Sequence, residues 1–238
     1  MVNTILPLTL TDVSVRRRGK RLLGPVDVTM RSSGLTMILG PNGSGKTTLL
    51  RVMHGVERLS GGKVEWSVGQ DEARHRQAYV FQTPIMLRRT VADNLRYPLH
   101  LIGIARKEIE AEIVEWLARI GLTPRAGLQA TRLSGGEKQK LAIARALIRK
   151  PDVLFLDEPC ANLDGAATRD IEALLQTALS NGTRIIMTTH DLGQARRLAD
   201  DAIFMLRGLL HEAGPADAFF NAPQTAELRA FFRGDIIT

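Results

Sequence analysis

Gly40-Pro41-Asn42-Gly43-Ser44-Gly45-Lys46-Thr47 lies between an apolar run, Leu35 to Leu39, and a segment, Thr48 to Met53, whose residues suit a helix. Strand, G-x-x-x-x-G-K-[ST], helix is the order of a phosphate-binding loop. A polyphosphate needs many donors within a few ångströms. Glycines let the backbone curl so that successive N–H groups converge at a helix N-terminus, where the helix dipole adds positive potential. The octapeptide and Thr48 are therefore assigned to nucleotide binding, with Lys46 bridging the β- and γ-phosphates. Thr47 offers its hydroxyl to Mg²⁺, which keeps most of its shell as water and phosphate oxygen. A glycine-rich turn with an incidental lysine would not explain the flanking strand and helix.

Further along, Val153-Leu154-Phe155-Leu156 is an apolar run that ends in Asp157-Glu158. A buried parallel strand has this composition, and its C-terminal end opens on the ligand crevice. Asp157 there can hold Mg²⁺ through a water, and Glu158 can accept a proton from the water that attacks the γ-phosphate. An N-capping acidic turn is the plainer alternative.

Around these two motifs, short strand-like segments alternate with helical ones, which predicts an α/β fold with a P-loop NTPase (nucleoside-triphosphatase) core. Leu8 to Val15 and Val26 to Met30 read as an antiparallel β edge. Lys63 to Trp66, Ala78 to Phe81, Arg184 to Thr188 and Ala202 to Leu206 read as further strands. From about residue 84 to about residue 150 the composition turns helical: Val91 to Leu101, Arg106 to Ile120 and Ser134 to Ile148 carry 3.6-residue spacing, with breaks at Pro98, Gly121 and Pro124. This stretch reads as a helical subdomain inserted in a single domain, 1–238. Ala166 to Leu179 is a helix of the resumed core, and Pro215 to Phe232 is amphipathic, with Phe219, Phe220, Phe231 and Phe232 expected to pack on it.

Composition narrows the function classes. The 238 residues are 44% hydrophobic and 24% charged, which excludes disordered and low-complexity chains. One cysteine, Cys160, excludes an internal disulfide framework and a cysteine zinc cage, and reads as a small packing residue. No apolar run approaches the roughly 18 to 20 residues that span a bilayer. The basic run Arg16-Arg17-Arg18 follows the mildly apolar stretch Ile5 to Val15, the reverse of a signal peptide, so a cytoplasmic chain is expected. A net charge of +7 suits several anionic partners without choosing among them.

Between the two nucleotide motifs lies Leu133-Ser134-Gly135-Gly136-Glu137-Lys138-Gln139, and with it the chain resembles the ATP-binding subunits of ABC transporters, whose signature is close to L-S-G-G-Q. Ser134 and the amides of Gly135 and Gly136 would form a second anion-binding helix terminus. The resemblance implies that two copies pack head to tail, each signature closing on the γ-phosphate held by the other copy. It also implies that Gln82 of Tyr79-Val80-Phe81-Gln82 touches Mg²⁺ and the attacking water, and that His190 of Thr188-Thr189-His190-Asp191 contacts the γ-phosphate. Ala161-Asn162-Leu163-Asp164 resembles the loop whose aspartate crosses the dimer interface. The family stacks an aromatic residue on adenine, but the matching region reads Ser14-Val15-Arg16-Arg17-Arg18-Gly19. Arg17 falls nearest by spacing; its guanidinium can stack on the base, or the segment is a solvated basic loop. Glu137 stands where the signature has glutamine.

The implied function is ATP hydrolysis that powers import through separate transmembrane permease subunits, at the cytoplasmic face of the membrane, with an extracytoplasmic solute-binding protein acting indirectly. An exporter subunit and a soluble non-transport ATPase are the alternatives. Only 88 residues, without a heptad array, separate Gly45 from Ser134, so the long coiled coil of chromosome-handling relatives has no room, and no nucleic-acid partner is expected. Phe81 to Val91 and the ending Phe231-Phe232-Arg233-Gly234-Asp235-Ile236-Ile237 look like those of oxyanion importers, particularly tungstate. Thr83 to Arg89 would line the groove that receives the permease.

Overall fold

The computed structural model describes residues 4–31 and 33–235. In chain order they form β1 (Leu8–Arg17), β2 (Lys20–Met30), β3 (Leu35–Leu39), α1 (Lys46–His54), β4 (Gly61–Trp66), α2 (Gln70–His75), β5 (Gln77–Val80), α3 (Val91–Leu101), α4 (Arg106–Arg119), α5 (Gly135–Leu147), β6 (Val153–Asp157), α6 (Gly165–Ser180), β7 (Arg184–Thr188), α7 (Leu192–Leu198), β8 (Asp201–Leu206), β9 (Leu209–Pro215), α8 (Ala216–Asn221) and α9 (Ala226–Arg233). Ile236 and Ile237 lie outside the described residues.

Six strands form one sheet in the order β5-β6-β7-β3-β8-β9, parallel except for β9. Its inner strands are buried on both faces, which is why they read as unbroken apolar runs. Their side chains nevertheless alternate. Leu35, Met37, Leu39, Leu154, Leu156, Ile185 and Met187 share one core cluster with buried residues of α3 to α7. Ile38, Val153, Phe155, Ile186, Ile203 and Met205 face the other way, onto β1, β2 and α1.

The antiparallel strands near the N-terminus form their own sheet, β2-β1-β4, rather than continuing the large one. Arg18 (φ 51°) and Gly19 (φ 78°) join β1 to β2 as a two-residue turn with both residues left-handed, so Arg16 and Arg17 belong to a paired strand and not to a loop. Pro98 does not break its helix. It lies inside α3 and is buried, and α3 is anchored at its start by Thr90, whose hydroxyl accepts from the Asp93 amide at 3.1 Å. At the C-terminus, Phe219 and Phe220 are buried in α8, while Phe231 and Phe232 of α9 pack against the same core.

Candidate functional site

Because β3, β5, β6 and β7 run parallel, the segments after their C-terminal ends meet at one edge of the sheet. The phosphate loop leaves β3 through Gly40 at φ 147°, where a Cβ would come within 2.1 Å of the Met205 carbonyl oxygen and 2.7 Å of Ser44 Oγ. Only glycine fits there. The loop closes through Ser44 N–H donating to the Pro41 carbonyl at 3.2 Å and is tied to the β8–β9 turn by Gly208 N–H donating to the Ser44 carbonyl at 2.9 Å. Among the described residues, the buried Ser44 hydroxyl has no hydrogen-bond partner. Lys46 folds back into the loop, donating to the carbonyls of Gly40 (2.8 Å) and Pro41 (3.2 Å). Burial pulls its pKa below the usual lysine value, against the opposing pull of Glu158 and Asp157. An orphan hydroxyl and a curled-in cation form a cradle that fits a polyphosphate.

Three expected chemical residues converge on one carboxylate, that of Glu158. Gln82 Nε2 donates to Glu158 Oε2 at 3.1 Å, His190 Nδ1 lies 3.3 Å from the same oxygen, and Lys46 Nζ is 4.0 Å from Glu158 Oε1. Asp157 is buried and accepts at Oδ1 from Thr47 (2.9 Å). A hydroxyl and a carboxylate this close at the phosphate loop fit Mg²⁺, which would take Thr47 directly and Asp157 through water. Among the described residues no group of three or more His, Cys, Asp or Glu is arranged to hold a metal by itself, so phosphate oxygens would have to complete the shell.

Sequence reading missed Thr188. Register pairs it with both Asp157 and Ile38, and its hydroxyl donates to Asp157 Oδ1 at 2.9 Å while accepting the Glu158 N–H at 2.9 Å. It thereby fixes Glu158, whose φ of 46° is a left-handed conformation that a glutamate seldom adopts. The Tyr79 hydroxyl adds a third donor to Asp157, at 3.3 Å. Asn94 was missed as well. Fully buried, it accepts from Leu87 N–H (3.1 Å) and from Arg145 (3.0 Å) and donates to the Thr90 carbonyl (2.9 Å), pinning the segment that follows Gln82. Nothing in a one-residue polar position on an apolar helix face signals such a hub.

Ser134 caps α5 and forms a reciprocal capping box with Glu137. Among the described residues, no hydrogen bond joins Ser134, Gly135 or Gly136 to the phosphate loop of the same chain; the Ser134 side chain is engaged by Glu137. A Cβ on Gly135 would meet nothing within 4 Å, whereas one on Gly136 would come within 3.0 Å of the Ala167 Cβ. Asp164 caps α6, accepting from Ala167 N–H at 2.7 Å. Arg17 donates to Glu57 at 3.0 Å, an ion pair across segments that neither the stacking nor the solvated-loop reading includes. Cys160 is half-buried on the core, and burial pushes its thiol up to about 11.

Residues 23–161 match the family model described as ABC transporter. The chain is 37% identical to the tungstate uptake system ATP-binding protein TupC of Peptoclostridium acidaminophilum over 90% of this chain and 100% of that protein. It is also 37% identical to the nickel import ATP-binding protein NikO of Rhodobacter capsulatus, over 87% of this chain and 88% of that protein. A solved ATP-binding cassette, dimeric and bound to ADP and phosphate after hydrolysis, superposes with a TM-score of 0.78 at 25% identity, covering 88% of this chain and 98% of the other.

Proposed function

From the premise that the chain belongs to the ABC transporter family, we propose that it is the ATP-hydrolysing subunit of an importer, working as a dimer in which each phosphate loop faces the other copy's signature. The single observation that carries the chemistry is the convergence of Gln82, His190 and Lys46 on Glu158. Glu158 is the base that takes a proton from the attacking water, Gln82 orients that water, and His190 contacts the γ-phosphate. Gly40 to Thr48 surround the nucleotide, and Lys46 exchanges its two loop carbonyls for phosphate oxygens. Thr47 and Asp157 would hold Mg²⁺, which when bound offsets the phosphate charge. Arg17 reaches adenine only by leaving Glu57.

The domain reading follows: one ATP-binding unit, 1–238, with the helices between β5 and β6 as an inserted lobe. The second copy is drawn in because, among the described residues, no hydrogen bond joins Ser134, Gly135 or Gly136 to the phosphate loop of their own chain, the Ser134 side chain being engaged by Glu137. A groove of about 550 Å³, lined in part by Phe81, Ile85, Tyr97 and Leu101, opens between β5 and this lobe. Those four side chains are exposed, Ile85 at 65% and Leu101 at 67%, which supports a permease docking there at the cytoplasmic face of the membrane. Met86 instead packs on the core. Among the described residues no helix is long and apolar enough to cross a membrane.

For the cargo we infer an oxyanion such as tungstate, delivered by an extracytoplasmic binding protein; the support is the likeness of Phe81 to Val91 and the name of the relative TupC. Uptake of tungstate, and not of nickel, by cells carrying the complete system would bear this out. The catalytic reading is tested by Glu158→Gln, which keeps the shape of the side chain without its basicity. Phosphate release should fall at least about a hundredfold while ATP still binds; wild-type release would remove Glu158 from the role of base.

A further inference from the structure

Glu137 stands where the family signature has a neutral residue, so a negative charge sits in the first turn of α5, where a phosphate is to be received. The structure shows what holds that charge. Arg125, from the short 3₁₀ turn Thr123–Arg125 ahead of α5, meets it with Nε 3.1 Å from Oε1 and Nη1 3.2 Å from Oε2. Glu137 Oε2 also accepts from the Ser134 N–H at 2.9 Å and from the Ser134 hydroxyl at 2.8 Å. Burial pushes the Glu137 carboxyl up, but Ser134, Arg125 and Lys140 outweigh it and hold it below the usual carboxylate range. Lys140 is itself paired with Asp170 at 2.9 Å, so among the described residues Arg125 is the cation in direct contact with this carboxylate.

The hydroxyl that should meet a phosphate is thus spent on a carboxylate. A serine has one O–H to donate, so Ser134 must turn away from Glu137 before it can donate to phosphate oxygen. An unneutralised carboxylate would retain that hydroxyl and repel the incoming phosphate. Resting on the composite-site reading above, we propose that Arg125 is a positioning residue: it neutralises Glu137, so that the start of α5 stays attractive to the terminal phosphate held by the other copy and the Ser134 hydroxyl is released to it. When the copies close, Glu137 keeps the Ser134 N–H and the forked guanidinium, and gives up only the hydroxyl.

A double-mutant cycle tests this in the Glu158→Gln protein, with ATP-driven dimerisation read by size exclusion and light scattering. Arg125→Ala should raise the ATP concentration for half-maximal dimer formation roughly tenfold, and adding Glu137→Gln should bring it back to within about twofold. Arg125→Lys, which keeps the charge, should lose less than Arg125→Ala. A merely structural role predicts equal loss with either residue at 137, and equal loss would overturn the proposal even with dimerisation otherwise normal. Thermal melting and ATP binding to the isolated chain guard against misfolding; a loss that tracks a lowered melting point in both backgrounds counts against the proposal too. Absence of any ATP-driven dimer with Arg125 and Glu137 intact would instead overturn the composite-site reading, and the proposal with it.

Discussion

Thr188→Val replaces a fully buried hydroxyl with a methyl group of nearly the same shape, so its effect comes almost entirely from two hydrogen bonds. The Glu158 N–H loses its acceptor, and an unpartnered buried donor costs about 1–3 kcal/mol. Asp157 loses one donor but keeps Thr47 at 2.9 Å and Tyr79 at 3.3 Å, so that loss falls at the low end for a bond to a charged group, about 1.5 kcal/mol. Burying the extra methyl returns part of this, about 0.8 kcal/mol. The sum is a destabilisation of about 3 kcal/mol, or a fall in Tm of about 6–12 °C for a chain of this size. Function should suffer more than stability. Without its amide tie, the left-handed Glu158 can relax, and a displacement of the base by about 1 Å lowers kcat on the order of a hundredfold while the KM for ATP stays within about threefold. Thermal unfolding and phosphate release measure both, and Thr188→Ser, which keeps the hydroxyl, should behave like wild type. A valine variant with unchanged Tm and kcat would refute the claim that Thr188 positions the acidic pair.

His54, half-buried against Tyr79 and Phe155, has its pKa pulled down to about 4 by the loss of solvent around it. The unfolded chain therefore takes up a proton near pH 6.5 that the folded one refuses. Stability is complete above that pH and is lost as pH falls towards 4, by up to about 3 kcal/mol from this group. His54→Asn should be less stable at pH 7 yet lose less between pH 7 and 4.5, as chemical denaturation at each pH would show; parallel curves would contradict it. Ile85→Asp, at the exposed edge of the groove, should leave ATP hydrolysis by the isolated chain within about twofold and reduce co-purification with the permease at least about tenfold. Normal assembly in that variant would move the docking site elsewhere.

Much of the parallel sheet was legible because its strands are short, apolar and punctuated by chemistry: Leu35–Leu39 runs into Gly40, and Val153–Asp157 ends on the acidic pair. The two motifs then converge because parallel strands put their C-terminal ends on one edge, a consequence of topology that chain order already implies. What escaped has physical reasons too. α2 is six residues long and buries only Ala73, and α7 is seven residues long, so each offers fewer than two turns of the 3.6-residue pattern. β9 is the antiparallel edge, only half-buried along its length and without an apolar run to mark it. Thr188 and Asn94 act through bonds to residues far away in sequence, and a lone polar residue announces no such partner. The Arg17–Glu57 pair joins the end of β1 to the turn after α1 and depends on how the two sheets are stacked, which spacing along β1 does not reveal.

Mixing two inactive variants tests the central claim that each catalytic site is built from two copies. Lys46→Ala removes the phosphate-loop cation, and Gly135→Asp sets a negative charge at the signature without steric conflict, since a Cβ there meets nothing within 4 Å. Alone, each variant should release phosphate at no more than about a hundredth of the wild-type rate. A mixed dimer carries both lesions in one site and none in the other. Random pairing at equal concentration should therefore restore up to about a quarter of wild-type phosphate release. Two variants that still form mixed dimers but recover no activity, or a wild-type chain whose rate per molecule is independent of concentration because it works as a monomer, would contradict the account.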